Sequence, residues 1–164
     1  MEKILKVLNR IEELEESLAD LYSRLSRAFA DNKEEHDFFA SLSEEEESHR
    51  DLARYQIRLV RNSHEPFTDV DIDIACIESL ISRAREFAQH TAPTIEDALQ
   101  VTLELETNLA EHYISSAIKQ ANPEVSGLID NLCLGCRKHL RECIEMGKRY
   151  HVPLPDLADD LSQD

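Results

Sequence analysis

The chain has no tryptophan, and only three glycines, five prolines and 5% aromatic residues among its 164 positions. Sandwiches and barrels turn often, and turns draw on glycine and proline, so this scarcity argues against an all-β fold. Long apolar runs are missing too, and without one no segment can span a membrane as a helix. Positive charge is in deficit: 18 Lys and Arg face 34 Asp and Glu, for a formal charge of −16. Nucleic-acid binding rests largely on neutralising phosphates, and an acidic chain without a basic stripe lacks the means. Anionic membrane surfaces are disfavoured for the same reason. Gly127, Gly135 and Gly147 are too scattered for a phosphate-cradling loop, and neither Gly-x-Ser-x-Gly nor His-Glu-x-x-His occurs. Met1-Glu2-Lys3-Ile4 enters a helical pattern at once, without the apolar stretch of a signal peptide, so a cytoplasmic location is expected. There Cys76, Cys133, Cys136 and Cys143 would be reduced thiols.

What is present is helical periodicity. Ile4, Leu8, Ile11, Leu14, Leu18, Leu21, Tyr22 and Leu25 recur at spacings of three and four, which predicts a helix from about Glu2 to Ala30. Asn32 with Glu35 reads as a capping box opening a second helix from about Lys33 to Val60. A shorter helix fits Asp71 to Gln89. Thr94 then caps a long one from Ile95 to Gln120, and Asn122-Pro123 starts the last, Glu124 to Tyr150. The first two helices and the last two are joined by short loops and should be antiparallel neighbours. The expected fold is all-α: two antiparallel helical hairpins joined by a long crossover that contains the short helix. One domain, 1–151, would be followed by an acidic tail, 152–164, either loose or docked by Leu154 and Leu157.

The most informative feature is an internal repeat. Leu14-Glu15-Glu16-Ser17-Leu18-Ala19-Asp20-Leu21-Tyr22 and Leu105-Glu106-Thr107-Asn108-Leu109-Ala110-Glu111-His112-Tyr113 both read Leu-Glu-x-x-Leu-Ala-acid-x-Tyr. Further on, Glu46-Glu47-Ser48-His49 matches Cys136-Arg137-Lys138-His139, with Leu42 and Leu132 each seven residues before the His. A helical hairpin has been duplicated, with an offset of about 90 residues.

The spacing carries chemistry. Residues i and i+3 project from one helical face, so Glu46 and His49 present a carboxylate and an imidazole to one point of a helix bundle. Glu15 and Glu106 add a carboxylate from each partner helix. Glu and Glu-x-x-His sets of this kind bind paired metal ions inside four-helix bundles. Tyr22 and Tyr113, two turns beyond Glu15 and Glu106, can donate to a ligand carboxylate of the opposite hairpin. Glu12, Glu13 and Glu16 compete with Glu15, and Glu45 competes with Glu46; the repeat selects Glu15 and Glu46. His36, His64, His90, His112 and His151 read as ordinary surface or helix-end residues.

On Glu15 with Tyr22, Glu46 with His49, Glu106 with Tyr113, and His139, the chain resembles the ferritin-like superfamily and, within it, the rubrerythrins, over about residues 5–150. The resemblance implies a ferritin-like four-helix bundle, a homodimer, and a non-haem di-iron centre that reduces peroxide or oxidises iron with O₂ or peroxide. On that pattern Glu15 and His49 would serve one iron, Glu106 and His139 the other, and Glu46 would bridge them. The departures lie at Cys136, where a second bridging Glu is expected, and at Leu109, where rubrerythrins carry a further Glu. The single Cys-x-x-Cys, Cys133 to Cys136, does not make a rubredoxin domain, so an external electron-donor protein would be needed. Cys136 leaves three readings open: a substituted ligand in a dinuclear site, a shift to one ion such as iron or zinc, or, with Cys133 and Cys143, a small core residue.

Overall fold

The computed structural model describes residues 2–62, 74–115 and 123–154; for residues 110–115, 123–133 and 136 it describes the backbone alone. Every regular element among the described residues is an α-helix: α1 (Glu2–Ala28), α2 (Lys33–Asn62), α3 (Ile74–Phe87), α4 (Ile95–Ser115) and α5 (Pro123–Arg149). The expected start of the third helix at Asp71, the end of the fourth at Gln120, and Leu157 of the tail lie outside the described residues.

α1 stops two residues before the expected end, because its last turn tightens: Ala30 N–H donates to Arg27 O and Asn32 N–H to Phe29 O. Asn32 then restarts the chain as the cap of α2, its Oδ1 accepting from Glu34 N–H at 3.1 Å. Glu35 does not complete a reciprocal box with the backbone. Its carboxylate instead accepts from Asn32 Nδ2 at 2.8 Å and from the hydroxyl of Tyr150, beyond the end of α5, at 2.7 Å. Thr94 Oγ1 accepts from Asp97 N–H at 3.1 Å and opens α4 as expected.

Cross-helix contacts fix the directions. Ser26 meets His36, Ser43 donates to Ala19 O, and Arg54 pairs with Glu12, so α1 and α2 run antiparallel along each other. Arg149 pairs with Glu34, Lys138 with Glu45, and Gly135 faces His49, so α2 and α5 are antiparallel as well. α4 lies along α5 and α3 lies on α1. The apolar stripes of all five helices merge in one core, with Leu8, Leu18, Leu21, Leu42, Leu99 and Leu105 fully buried. No described helix is long and apolar enough to cross a membrane.

α5 ends in a Schellman turn. Val152 N–H donates to Gly147 O at 2.9 Å, His151 N–H donates to Lys148 O at 3.3 Å, and His151 takes φ 56°. A Cβ at Gly147 would stand 3.1 Å from both Leu103 and Leu154, so this glycine lets the chain fold back over the α4–α5 seam. Leu154, partly buried, packs there against the core.

Candidate metal centre

Each of the four long helices sends an ionisable side chain to one point of the core. On α1 the four candidate acids separate by their neighbours. Glu12 pairs with Arg54, Glu13 with Arg10 and Arg85, and Glu16 lies 3.6 Å from Arg54. These three stand at or near the surface, each beside an arginine, whereas Glu15, flanked by Leu14 and Leu18, is 1% exposed. On α2, Glu44 and Glu47 face solvent and Glu46 is buried with His49. Glu106 of α4 and His139 of α5 are fully buried.

Glu46 sits between the two histidines. Its Oε2 lies 3.0 Å from His49 Nδ1, and its Oε1 lies 3.0 Å from His139 Nδ1. Glu15 Oε2 approaches His49 Nδ1 to 3.9 Å, and Glu106 Oε2 approaches His139 Nδ1 to 3.7 Å. The two imidazole rings are 5.3 Å apart between centroids. The arrangement follows the duplication, since each half contributes one histidine and one carboxylate from its partner helix. Tyr22 Oη donates to Glu106 Oε1 at 2.6 Å, a bond from one hairpin to the other of the kind its spacing predicts. The side chains of Tyr113, Cys133 and Cys136 lie outside the described residues. Cys143 is buried in the apolar core, and Leu109 also packs there.

The electrostatics are those of a closed charge cluster. Burial alone would raise the Glu46 carboxyl; hydrogen bonds from His139, His49 and Glu15 outweigh it and hold this carboxyl well below the usual range. Burial alone would depress His139; the carboxylates of Glu106 and Glu46 reverse this and push it up to about 12. Burial, and then the charge of Glu106, push the Tyr22 hydroxyl and the Cys143 thiol up, so both remain protonated at neutral pH.

Two buried atoms in this cluster, His139 Nδ1 and Glu106 Oε2, lie in charge contacts, Nδ1 at 3.0 Å from Glu46 Oε1 and 3.7 Å from Glu106 Oε2, but neither makes an aligned hydrogen bond among the described residues. A buried polar atom without an aligned bond is costly, and two of them 3.7 Å apart point to a shared occupant. A cation suits them. Donor atoms of Glu46, His49 and His139 all lie within 4.8 Å of one another. Neighbouring ligands around an ion with bonds of about 2.1 Å are themselves about 3.0 Å apart in octahedral and about 3.4 Å apart in tetrahedral geometry, and Glu46 stands 3.0 Å from each imidazole, at the octahedral end. The donors are carboxylate and imidazole, the types that suit iron, manganese and zinc.

Two residues of the site escaped the sequence reading. Glu45, set aside as a rival of Glu46, reaches across to α5, where its Oε2 lies 3.0 Å from His139 Nε2 and its Oε1 accepts from Lys138 Nζ at 2.6 Å. Gly135 lies against His49: a Cβ there would come within 2.3 Å of Nε2. Both contacts join the two halves of the chain, so no spacing within one helix announces them. The repeat does align positions 45 and 135, but with residues as unlike as Glu and Gly.

No protein-family model, curated protein or solved structure matches the chain.

Proposed function

We propose that this chain is a ferritin-like protein of the rubrerythrin kind that holds two non-haem iron ions between its helices and uses them in redox chemistry with peroxide or O₂. The observation that carries the reading is Glu46, each of whose oxygens lies 3.0 Å from the Nδ1 of a different buried histidine. Glu15 and His49 would hold one ion, Glu106 and His139 the other, and Glu46 would bridge them. Reduced iron, when bound, would supply one electron from each ion to the O–O bond of the oxidant.

The protein's own groups set the conditions. Three carboxylates offset the charge of the ions in a region that the leucines around Glu15 and Glu106 keep dry. Tyr22 holds Glu106 Oε1, which leaves Oε2 to face the site. Electrons would come from a separate donor protein, and the chain would act as a homodimer in the cytoplasm.

A second reading keeps the fold and reduces the metal to one ion, iron or zinc. It is favoured by the triad Glu46, His49 and His139, whose donor atoms all lie within 4.8 Å of one another. Three protein ligands with an open fourth position are a usual zinc arrangement. Metal content per chain separates the two. Protein purified without chelators from iron-supplied cells is weighed for metals by mass spectrometry, beside a Glu15→Ala, His139→Ala double variant. Two irons per chain, lost in the variant, are expected; one iron or one zinc would select the mononuclear reading. No bound metal, with the variant as stable as the parent, would overturn both.

A further inference from the structure

The two histidines of the cluster are held in different ways at the ring nitrogen that faces away from it. His49 Nε2 is pressed against α5 at Gly135, where a Cβ would stand only 2.3 Å away. His139 Nε2 meets a carboxylate: Glu45 Oε2, at 3.0 Å. Glu45 is itself fixed from outside, its Oε1 accepting from Lys138 Nζ at 2.6 Å, and Lys138 is one residue before His139 on the same helix. Glu45 is 28% exposed on its side chain and His139 is 0% exposed, so the carboxylate closes the surface over the imidazole.

We propose that Glu45 is a positioning residue for metal binding: it accepts the Nε2–H of His139 and thereby leaves Nδ1, which faces Glu46 and Glu106, as the atom that exchanges its proton for a metal. A neutral imidazole has one N–H and one lone pair, and the hydrogen bond at one nitrogen decides which atom can ligate. A carboxylate on the far nitrogen also fixes the ring plane and raises the basicity of the ligating atom. The bond comes from α2, the helix that supplies Glu46, so one helix provides both a ligand and the orientation of another. The first half of the repeat carries this carboxylate, and the second half has Gly135 in its place. The His139 ion is therefore the one that Glu45 governs, and the His49 ion is not.

The inference rests on the metal reading above, and the experiment separates the two. Co²⁺ is titrated into the metal-free full chain against a chromophoric chelator, with visible absorption reporting the ligand field. Wild type, Glu45→Ala, Glu45→Gln and, as a surface control, Glu44→Ala are compared. Loss of such an outer carboxylate costs about 10–100-fold in metal affinity. Glu45→Ala should lose that much for one ion, with altered visible bands. Glu45→Gln, whose amide oxygen still accepts from Nε2, should recover most of the affinity and the wild-type bands, and Glu44→Ala should match wild type. A residue that only braced the helices would lower the melting temperature without changing the cobalt spectrum. Glu45→Ala binding as tightly as wild type, or Glu45→Gln as weak as Glu45→Ala, overturns the inference and leaves the metal reading standing. A wild-type chain that takes up no Co²⁺ overturns the metal reading itself.

Discussion

Positions 45 and 135 are equivalents in the duplicated hairpins, and each lies against the Nε2 of the other half's histidine, Glu45 at 3.0 Å and the virtual Cβ of Gly135 at 2.3 Å. Gly135 therefore has a role that its helix propensity conceals. In a helix interior, Gly→Ala ordinarily stabilises by about 1 kcal/mol. Here the added methyl meets a ring that Glu46 pins at its other nitrogen, 3.0 Å away, so His49 cannot yield without breaking that contact. Overpacking of this kind costs about 1–3 kcal/mol. Gly135→Ala should therefore lower stability to urea by about 1 kcal/mol net, and a gain in stability would show that His49 moves freely. The same pair shows what the sequence could and could not reveal of the site. Glu15, Glu46, His49, Glu106 and His139 stood out because helical spacing and the repeat are written along single segments. Glu45 and Gly135 did not, because their partners lie on another helix and their side chains share no chemistry.

Helix ends were legible where a side chain caps the backbone within its own turn. Asn32 and Thr94 are of this kind, and α2 and α4 begin where those residues predict. Ends set by backbone geometry or by distant partners were less so. Glu35 is drawn away from its own cap by the hydroxyl of Tyr150, a residue over a hundred positions later. The end of α5 near Tyr150 was foreseen, but its mechanism was not, since the left-handed position after the last turn is filled by His151, φ 56°, where glycine is usual. An L-residue pays about 1–2 kcal/mol for that conformation. His151 is exposed and donates its backbone N–H to Lys148, a bond that any residue can make. His151→Gly should thus retain the turn and raise stability by about 0.5–1 kcal/mol, the net of relieved strain and the greater chain entropy of glycine. Thermal or urea unfolding checks this, and an unchanged or lowered midpoint would mean that the His151 ring makes a contact worth more than the strain.

At the scale of the molecule, loop lengths predicted which helices are neighbours, because a connection of a few residues leaves no alternative to an antiparallel return. The seat of α3 on α1 was not predictable in this way. The stripe of Ile77, Ile81 and Ala84 shows that one face is buried but not against what, and the link before it is long. The gathered fold encloses three carboxylates, Glu15, Glu46 and Glu106, against two imidazoles. Glu15 holds the proton that it donates to Glu46, so two carboxylates face two imidazoles, and two atoms of the cluster lack an aligned hydrogen bond among the described residues. Buried charge without full pairing is a stability cost that a bound cation relieves. Metal loading should therefore appear as global stability, because the ligands come from four helices and the unfolded chain cannot assemble them. At free metal one hundred times the dissociation constant, one ion adds about 2.7 kcal/mol. For a chain of this size each kcal/mol shifts the melting temperature by about 2–4 °C. Calorimetry of the metal-free and Fe²⁺-loaded protein, kept anaerobic, should then show a rise of at least about 5 °C for the first ion. The Glu15→Ala, His139→Ala variant should show a smaller rise or none. Its metal-free form would hold one carboxylate and one imidazole fewer, so its own melting point reports how much of the cost arises from crowding those groups. An equal shift in both proteins would place the stabilising ion outside this cluster, on the acidic surface.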